Sequence, residues 1–199
     1  ELSSAVVGGK MLRARLTLKV GSASGAPRDT LLRAASAVEM VHAASLLHDD
    51  VIDGGMLRRG APSFWKRKNV TGAILLGDLL VCRALQLLDG KEHDRLSVML
   101  VRLAGEMCDA EVEQELVAGR TAASREQCVS IARRKTGSLF AFAAVACDGA
   151  DKKQAEALME AGYRIGTAYQ MADDILPHHD GVVYQEPDGQ GQGHQGHDI

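Results

Sequence analysis

Aromatic side chains are scarce in this chain, at 4% of 199 residues, although 46% of positions are apolar and Ala, Leu and Gly supply much of the bulk. That mixture speaks against a β-sandwich rich in Tyr, Val and Thr and for helices packed through small and aliphatic side chains. An excess of positive charge is also lacking: 23 Lys and Arg against 26 Asp and Glu leave a formal charge of -3. A general polyanion-binding surface is therefore excluded, and any anion site must be a local cluster of Lys and Arg. With no basic stripe interleaved with aromatics, nucleic acid is not expected as a partner. None of the four cysteines, Cys82, Cys108, Cys128 and Cys147, forms a CxxC pair. Each lies in an apolar stretch, which predicts small buried hydrophobes in a reducing cytoplasm. No uninterrupted apolar run reaches the roughly 18 residues that span a bilayer, and no basic-then-apolar leader is visible. The chain begins at Glu1 rather than Met, so an N-terminal stretch is expected to be missing.

What is present reads as helix. After the Gly8-Gly9 turn an apolar helix begins, and the loop Gly21–Pro27 precedes apolar residues at three- and four-residue spacing over Asp29–Val51, with Asp29 as N-cap. Gly54, Gly55, Gly60 and Pro62 mark a loop that carries Arg58 and Arg59. Further helical stretches run over Val70–Leu88, His93–Val117, Arg125–Cys147 and Lys152–Leu176, with almost no strand-like alternation. The expected fold is an all-α bundle over residues 1–177. Residues 178–199, rich in Gly, Gln and His, have the composition of a flexible tail.

Two aspartate clusters stand at the ends of apolar helices. In His48-Asp49-Asp50-Val51-Ile52-Asp53, the i,i+4 spacing puts Asp49 and Asp53 on one face, with Asp50 displaced around the axis. Three carboxylates on a C-terminal turn face the negative end of the helix dipole, an unfavourable place unless a cation neutralises them. Mg2+ suits such a set, because it takes one or two carboxylates and completes its shell with phosphate oxygens. Asp173-Asp174 ends another apolar helix, and two such clusters facing each other across a bundle would grip a diphosphate. Tyr169 and Met171 beside it read as packing residues. Basic positions accompany the acidic ones: Lys10 and Arg13 after the Gly-Gly turn, Arg58 and Arg59 after the first cluster, and Lys135 beside Thr136.

Taken together, GGKMLRA at 8–14, EMVHAASLLHDDVID at 39–53, LRRGAPS at 57–63, LLGDLL at 75–80, KTGSLF at 135–140 and GTAYQMADDIL at 166–176 resemble the trans-isoprenyl diphosphate synthases, or polyprenyl synthetases. The resemblance implies an isoprenoid synthase helical bundle around a central cavity, as a homodimer, condensing isopentenyl diphosphate with an allylic diphosphate. It implies two or three Mg2+ ions on Asp49, Asp50, Asp53, Asp173 and Asp174. Lys10, Arg13, His42 and Arg59 match positions that hold isopentenyl diphosphate, and Arg58 and Lys135 match allylic diphosphate ligands. Lys135, Thr136 and Gln170 are assigned to the catalytic centre. The implied reaction is ionisation of the allylic C–O bond followed by attack of the isopentenyl double bond, which needs no side-chain nucleophile. Bulky aromatics one helical turn before the first motif stop elongation in this family. Ala44 and Ser45 stand there and predict a product of twenty carbons or more.

Met11 and Ala14 depart from the family's GGKRxRP, Gly54 stands where an acidic residue is common, and Pro177 replaces the third Asp of the second motif. Pro177 is expected to end its helix. The resemblance stops there, so the chain is expected to be incomplete at both ends. Two alternatives to a chain-elongating synthase are a class I terpene cyclase on the same fold and a non-catalytic partner subunit that shapes another synthase's product.

Overall fold

The computed structural model describes residues 9–58, 60–117, 124–146 and 152–175. Pro177 and the Gly/Gln/His-rich segment lie outside them. The first helix, α1 (Leu12–Ala23), starts from Met11, which has a positive φ of 48°. Helix α2 (Arg28–Ile52) begins after Pro27, so Asp29 sits within the first turn rather than at the N-cap. There its charge is favourable against the positive end of the helix dipole, and it pairs with Arg33 one turn on, at 2.5 Å.

The Gly-rich loop after α2 is more ordered than its composition implied. Strands β1 (Leu57–Arg58) and β2 (Ala61–Pro62) pair antiparallel across a tight turn, and Gly60 supplies the positive φ of 74° in that turn. A single helical turn, α3 (Phe64–Arg67), leads into α4 (Val70–Leu87), which Asn69 caps by accepting a hydrogen bond from the Gly72 amide at 2.6 Å. A short 3-10 turn precedes α5 (Asp94–Val117). The predicted Arg125–Cys147 helix is three consecutive pieces: α6 (Arg125–Ala132), a π-helical turn (Arg133–Gly137) and α7 (Ser138–Val145). Ser124 and Gln127 form a capping box at its start. The last described helix is α8 (Lys152–Ile175).

The main core joins several of these helices. Leu31, Val38 and Val41 of α2 meet Ala84 of α4, Leu100, Leu103 and Met107 of α5, and Leu139, Phe142 and Val145 of α7. Each large side chain so buried contributes about 1.5–3 kcal/mol relative to exposure. Helix α7 is buried on every side, from Ser138 to Val145, and acts as the central post. Glycines set how closely α8 approaches it. A Cβ at Gly162 would stand 2.5 Å from the Phe140 carbonyl oxygen, and one at Gly166 would stand 2.6 Å from the Gly137 Cα. Only glycine admits that approach, which brings α8 backbone-to-backbone against the π turn.

The cysteine expectation is corrected for three residues: Cys82, Cys108 and Cys128 are exposed free thiols, while Cys147 lies outside the described residues. Helix α4 buries Ala73, Gly77, Leu80 and Ala84, a stripe whose i,i+4 repeat turns Cys82 to the opposite side. That outward side is nonetheless apolar, with Ile74, Leu75 and Leu79 on α4 and Val98, Val101, Val112 and Leu116 on α5 all exposed. By length and composition alone α4 is apolar enough to cross a membrane, with mean hydropathy 1.6 and 22% of it buried. Asp78 and Arg83 interrupt it, which is why it did not read as a continuous apolar run.

Candidate active site

A cavity of about 1010 Å³ opens between α1, α2, α5, α7 and α8. Most of the sequence-predicted site residues line it: Lys10, Arg13, His42, Ser45, Asp49, Asp50, Arg58, Lys135, Thr136, Gln170 and Asp173. Three others stand off its wall. Asp53 is the exposed C-cap of α2, and Asp174 is exposed on α8. Ala44 is buried with Ala43, Leu47 and Leu80 against α4. At about 100° per residue, Ser45 shares the face of Asp49 while Ala44 is rotated off it, so of the two residues one turn before the first motif Ser45 alone lines the cavity. Arg59 lies outside the described residues.

The two acidic clusters reach the cavity from different helices, Asp49 and Asp50 from α2 and Asp173 from α8. Their environments differ. Asp49 is held up to a pKa of about 6, first by burial, then by the charge of Glu111 and more weakly Asp53, with Lys135 and Arg58 opposing. Asp50 is buried and already engaged, accepting hydrogen bonds from Arg58 at 2.6 to 2.9 Å.

Cationic groups face them. Arg13 is buried with its guanidinium 4.7 Å over the Phe140 ring. Burial lowers its pKa to about 10, with Glu39 the main opposing influence, and it stays a cation at neutral pH. Its Nε is buried without a hydrogen-bond partner among the described residues, an unsatisfied donor of the kind a phosphate oxygen accepts from. Glu39 is held close by by accepting a hydrogen bond from the Ala14 amide at 2.9 Å.

The π turn divides two neighbouring side chains between two helices. Lys135 donates to Glu111 at 2.7 Å and to Gln114 at 3.3 Å, both on α5. Thr136 donates to the Gln170 side-chain oxygen on α8 at 2.6 Å, and Gln170 in turn donates to Asp174 at 2.8 Å. Gln170 follows Gly166 by one turn, so the close helix approach is what delivers it to Thr136. A π turn fits one more residue than an α turn, and such turns recur at functional sites. A second close approach lies beside the first cluster, where a Cβ at Gly77 would overlap the His48 ring.

Sequence reasoning missed several wall residues. Tyr169, expected to be a packing residue, lines the cavity with its ring centroid 6.1 Å from that of Phe140. Phe64 and Arg67 reach it from α3, and Glu39 and Glu111 from α2 and α5. The acidic run on α5 holds Glu111, Glu113 and Glu115 alike, so nothing in the pattern singles out Glu111.

Among the described residues no group of three His, Cys, Asp or Glu stands together as a ready-made metal cage. The arrangement fits Mg2+ in the other way, with a carboxylate from each of two helices and the remaining positions left to water and phosphate. Burial first, and then the charge of Glu111, disfavour the bare Asp49 carboxylate, a cost that a bound cation would relieve.

The chain is 34% identical over 177 residues to a geranylgeranyl diphosphate synthase of Methanosarcina mazei, a match that covers 85% of this chain and 55% of that protein. It is 35% identical over 176 residues to a geranylfarnesyl diphosphate synthase of the same organism, covering 85% of this chain and 58% of that one. Its fold superposes on a polyprenyl synthase from Caulobacter crescentus, solved with calcium and isoprenyl diphosphate, with a TM-score of 0.80 and 35% identity over 84% of this chain and 52% of that one. The chain thus spans a little over half the length of these two curated relatives. The polyprenyl synthetase family model matches residues 2–182, and with an isoprenoid synthase bundle formed around both aspartate motifs, the chain belongs to the polyprenyl synthetase family.

Proposed function

We propose that the protein to which this chain belongs condenses isopentenyl diphosphate with an allylic diphosphate to give a longer all-trans polyprenyl diphosphate. The observation that carries this reading is the convergence of Asp49 and Asp173, from two helices, on one cavity that also holds Lys10, Arg13, Arg58 and Lys135. Taken singly in the sequence, each basic pair would read as ordinary surface charge. Together they make a site for an anion gripped by protein cations on one side and by cation-binding carboxylates on the other. A basic set large enough for two diphosphates favours condensation over cyclisation of a single one.

Asp49 and Asp173 would hold Mg2+, with Asp53 and Asp174 adding negative charge from just outside the wall. Bound Mg2+ supplies Lewis-acid neutralisation of diphosphate charge. Arg58 and Lys135 stabilise the charge that gathers on pyrophosphate as the allylic C–O bond ionises. Arg13, with its free Nε, and Lys10 and His42 beside it, hold the isopentenyl diphosphate whose double bond attacks the allylic cation. The departing pyrophosphate takes the final proton. Apolar wall residues such as Met107, Leu139 and Phe140 keep water from the cation. Ser45, small and on the face of Asp49, leaves room for a tail of twenty carbons or more, in keeping with relatives named for geranylgeranyl and geranylfarnesyl diphosphate.

The outward apolar side of α4 and α5 supports a homodimer through that face. The exposed unpaired thiols Cys82, Cys108 and Cys128 fit a reducing cytoplasm.

The test is incubation with Mg2+, isopentenyl diphosphate and farnesyl or geranylgeranyl diphosphate, with products identified by mass. Elongated diphosphates that vanish on Asp49→Ala are expected. No elongation from the folded protein with several primers would favour a partner subunit. A cyclic hydrocarbon from the primer alone would favour a cyclase.

A further inference from the structure

The run Arg133-Arg134-Lys135 presents three cations, and each is held by a different carboxylate: Arg133 by Glu160 at 2.6 Å, Arg134 by Glu113 at 2.5 Å and Lys135 by Glu111 at 2.7 Å. The first two pairs stand off the cavity wall, whereas both members of the third line it. Lys135 and Glu111 are also the most enclosed of the three pairs, with side chains 22% and 21% exposed. Glu111 is followed on the same face of α5 by Gln114, whose side-chain oxygen accepts a second hydrogen bond from the same ammonium at 3.3 Å.

From this arrangement we infer that Glu111, with Gln114, is the positioning residue of the site: it fixes the Lys135 ammonium in the cavity wall for the diphosphate. The inference rests on the synthase reading above. An ammonium has three N–H donors. Two are spent on α5, leaving one for a phosphate oxygen. A free lysine side chain gives up much of its rotamer freedom when it is immobilised. Here that ordering is already done before any anion arrives, as preorganised charge stabilisation requires. Arg133 and Arg134 lack this role because their carboxylates hold them on the outside of the same turn.

Two simpler accounts give different results. If Glu111 is only a staple between α5 and the π turn, its loss lowers stability and weakens every property of the site, whatever stands at residue 135. If Glu111 acts only through its negative charge near the anion, Glu111→Ala and Glu111→Gln both tighten anion binding equally. As a positioning residue, Glu111→Ala frees the ammonium, while Glu111→Gln keeps an acceptor oxygen and holds it.

The experiment is calorimetric titration of the chain with inorganic pyrophosphate at fixed excess Mg2+, for wild type, Asp49→Ala, Glu111→Ala, Glu111→Gln, Lys135→Ala and the Glu111→Ala/Lys135→Ala double variant, with thermal unfolding of each. Glu111→Ala is expected to weaken binding about tenfold, Glu111→Gln by no more than about twofold, and Glu111→Ala to add nothing in the Lys135→Ala background. A Glu111→Ala loss that persists without Lys135, equal tightening by both substitutions, or no change would overturn the inference alone. Wild-type chain that takes up no pyrophosphate, or whose uptake ignores Asp49→Ala, would overturn the synthase reading and this inference with it.

Discussion

Arg58 grips Asp50 through both carboxylate oxygens, Nε at 2.8 and 2.9 Å and Nη2 at 2.6 Å, tying strand β1 to the last turns of α2. Asp50 is almost fully buried while Arg58 is about a third exposed, with side chains 6% and 36% accessible. The pair therefore anchors the hairpin loop over the first aspartate cluster, with Asp50 as the strut for that loop. Arg58→Ala leaves a buried carboxylate unpaired and should cost on the order of 2 kcal/mol. A thermal unfolding midpoint unchanged by Arg58→Ala would contradict this. Arg58→Lys should recover only part of the loss, because an ammonium cannot reproduce the two-oxygen grip.

Asp49 gives the site a pH dependence. Its pKa is raised from 3.8 to about 6 in the folded chain, so between those values the folded state binds more protons than the unfolded one. Stability therefore falls as pH rises from about 4 to about 6, and the deprotonated carboxylate is a destabilising group at pH 7 in the metal-free chain. Asp49→Asn should raise the midpoint at pH 7 by a few degrees and lose that advantage below about pH 4. The same substitution should weaken Mg2+ uptake. A metal-free midpoint that drops on Asp49→Asn at pH 7 would refute the sign.

Gly166 is where α8 meets the π turn. A Cβ there would lie 2.6 Å from the Gly137 Cα and 2.9 Å from the Thr136 carbonyl oxygen. Neither backbone atom can step aside as a flexible side chain can. Gly166→Ala should cost about 1–3 kcal/mol and push Gln170 away from Thr136. Gly105, where a Cβ would meet nothing within 4 Å, is the control: Gly105→Ala in the middle of α5 should be neutral or stabilising. Equal midpoints for the two variants would count against the packing account.

Ser45 is the cavity-facing residue one turn before Asp49, while Ala44 packs against α4. Ser45→Phe should shorten the longest product made, read by mass, with the primer still consumed. Ala44→Phe should instead act on stability, by overpacking the small cluster with Leu47 and Leu80. Product length that follows residue 44 and not residue 45 would reverse this assignment.

Much of the architecture was legible beforehand. Apolar spacing located six helical stretches within a few residues of their observed bounds, because a helix announces its buried stripe in local periodicity. The Leu57–Pro62 hairpin was read only as a loop: two-residue strands are too short to alternate. The break of the Arg125–Cys147 stretch into α, π and α pieces was invisible for a related reason, since a five-residue π turn is too short to shift the periodicity of the helices on either side while it changes which neighbours its own side chains meet.

By itself, the sequence determined the helix class, the two aspartate motifs and the family, since each is written in residues close together along the chain. Tertiary structure alone decided which of those residues face one another. Glu111 and Lys135 are 24 positions apart and Thr136 and Gln170 are 34 apart, and their meeting depends on how closely α8 and α5 approach the π turn. It also decided which of Ala44 and Ser45 sees the cavity, and that Asp50 spends its oxygens on Arg58 while Asp49 stays open to a cation. A residue's type states what chemistry it can do; its burial and its partners, set by helix packing over long separations, decide which of those chemistries remains free.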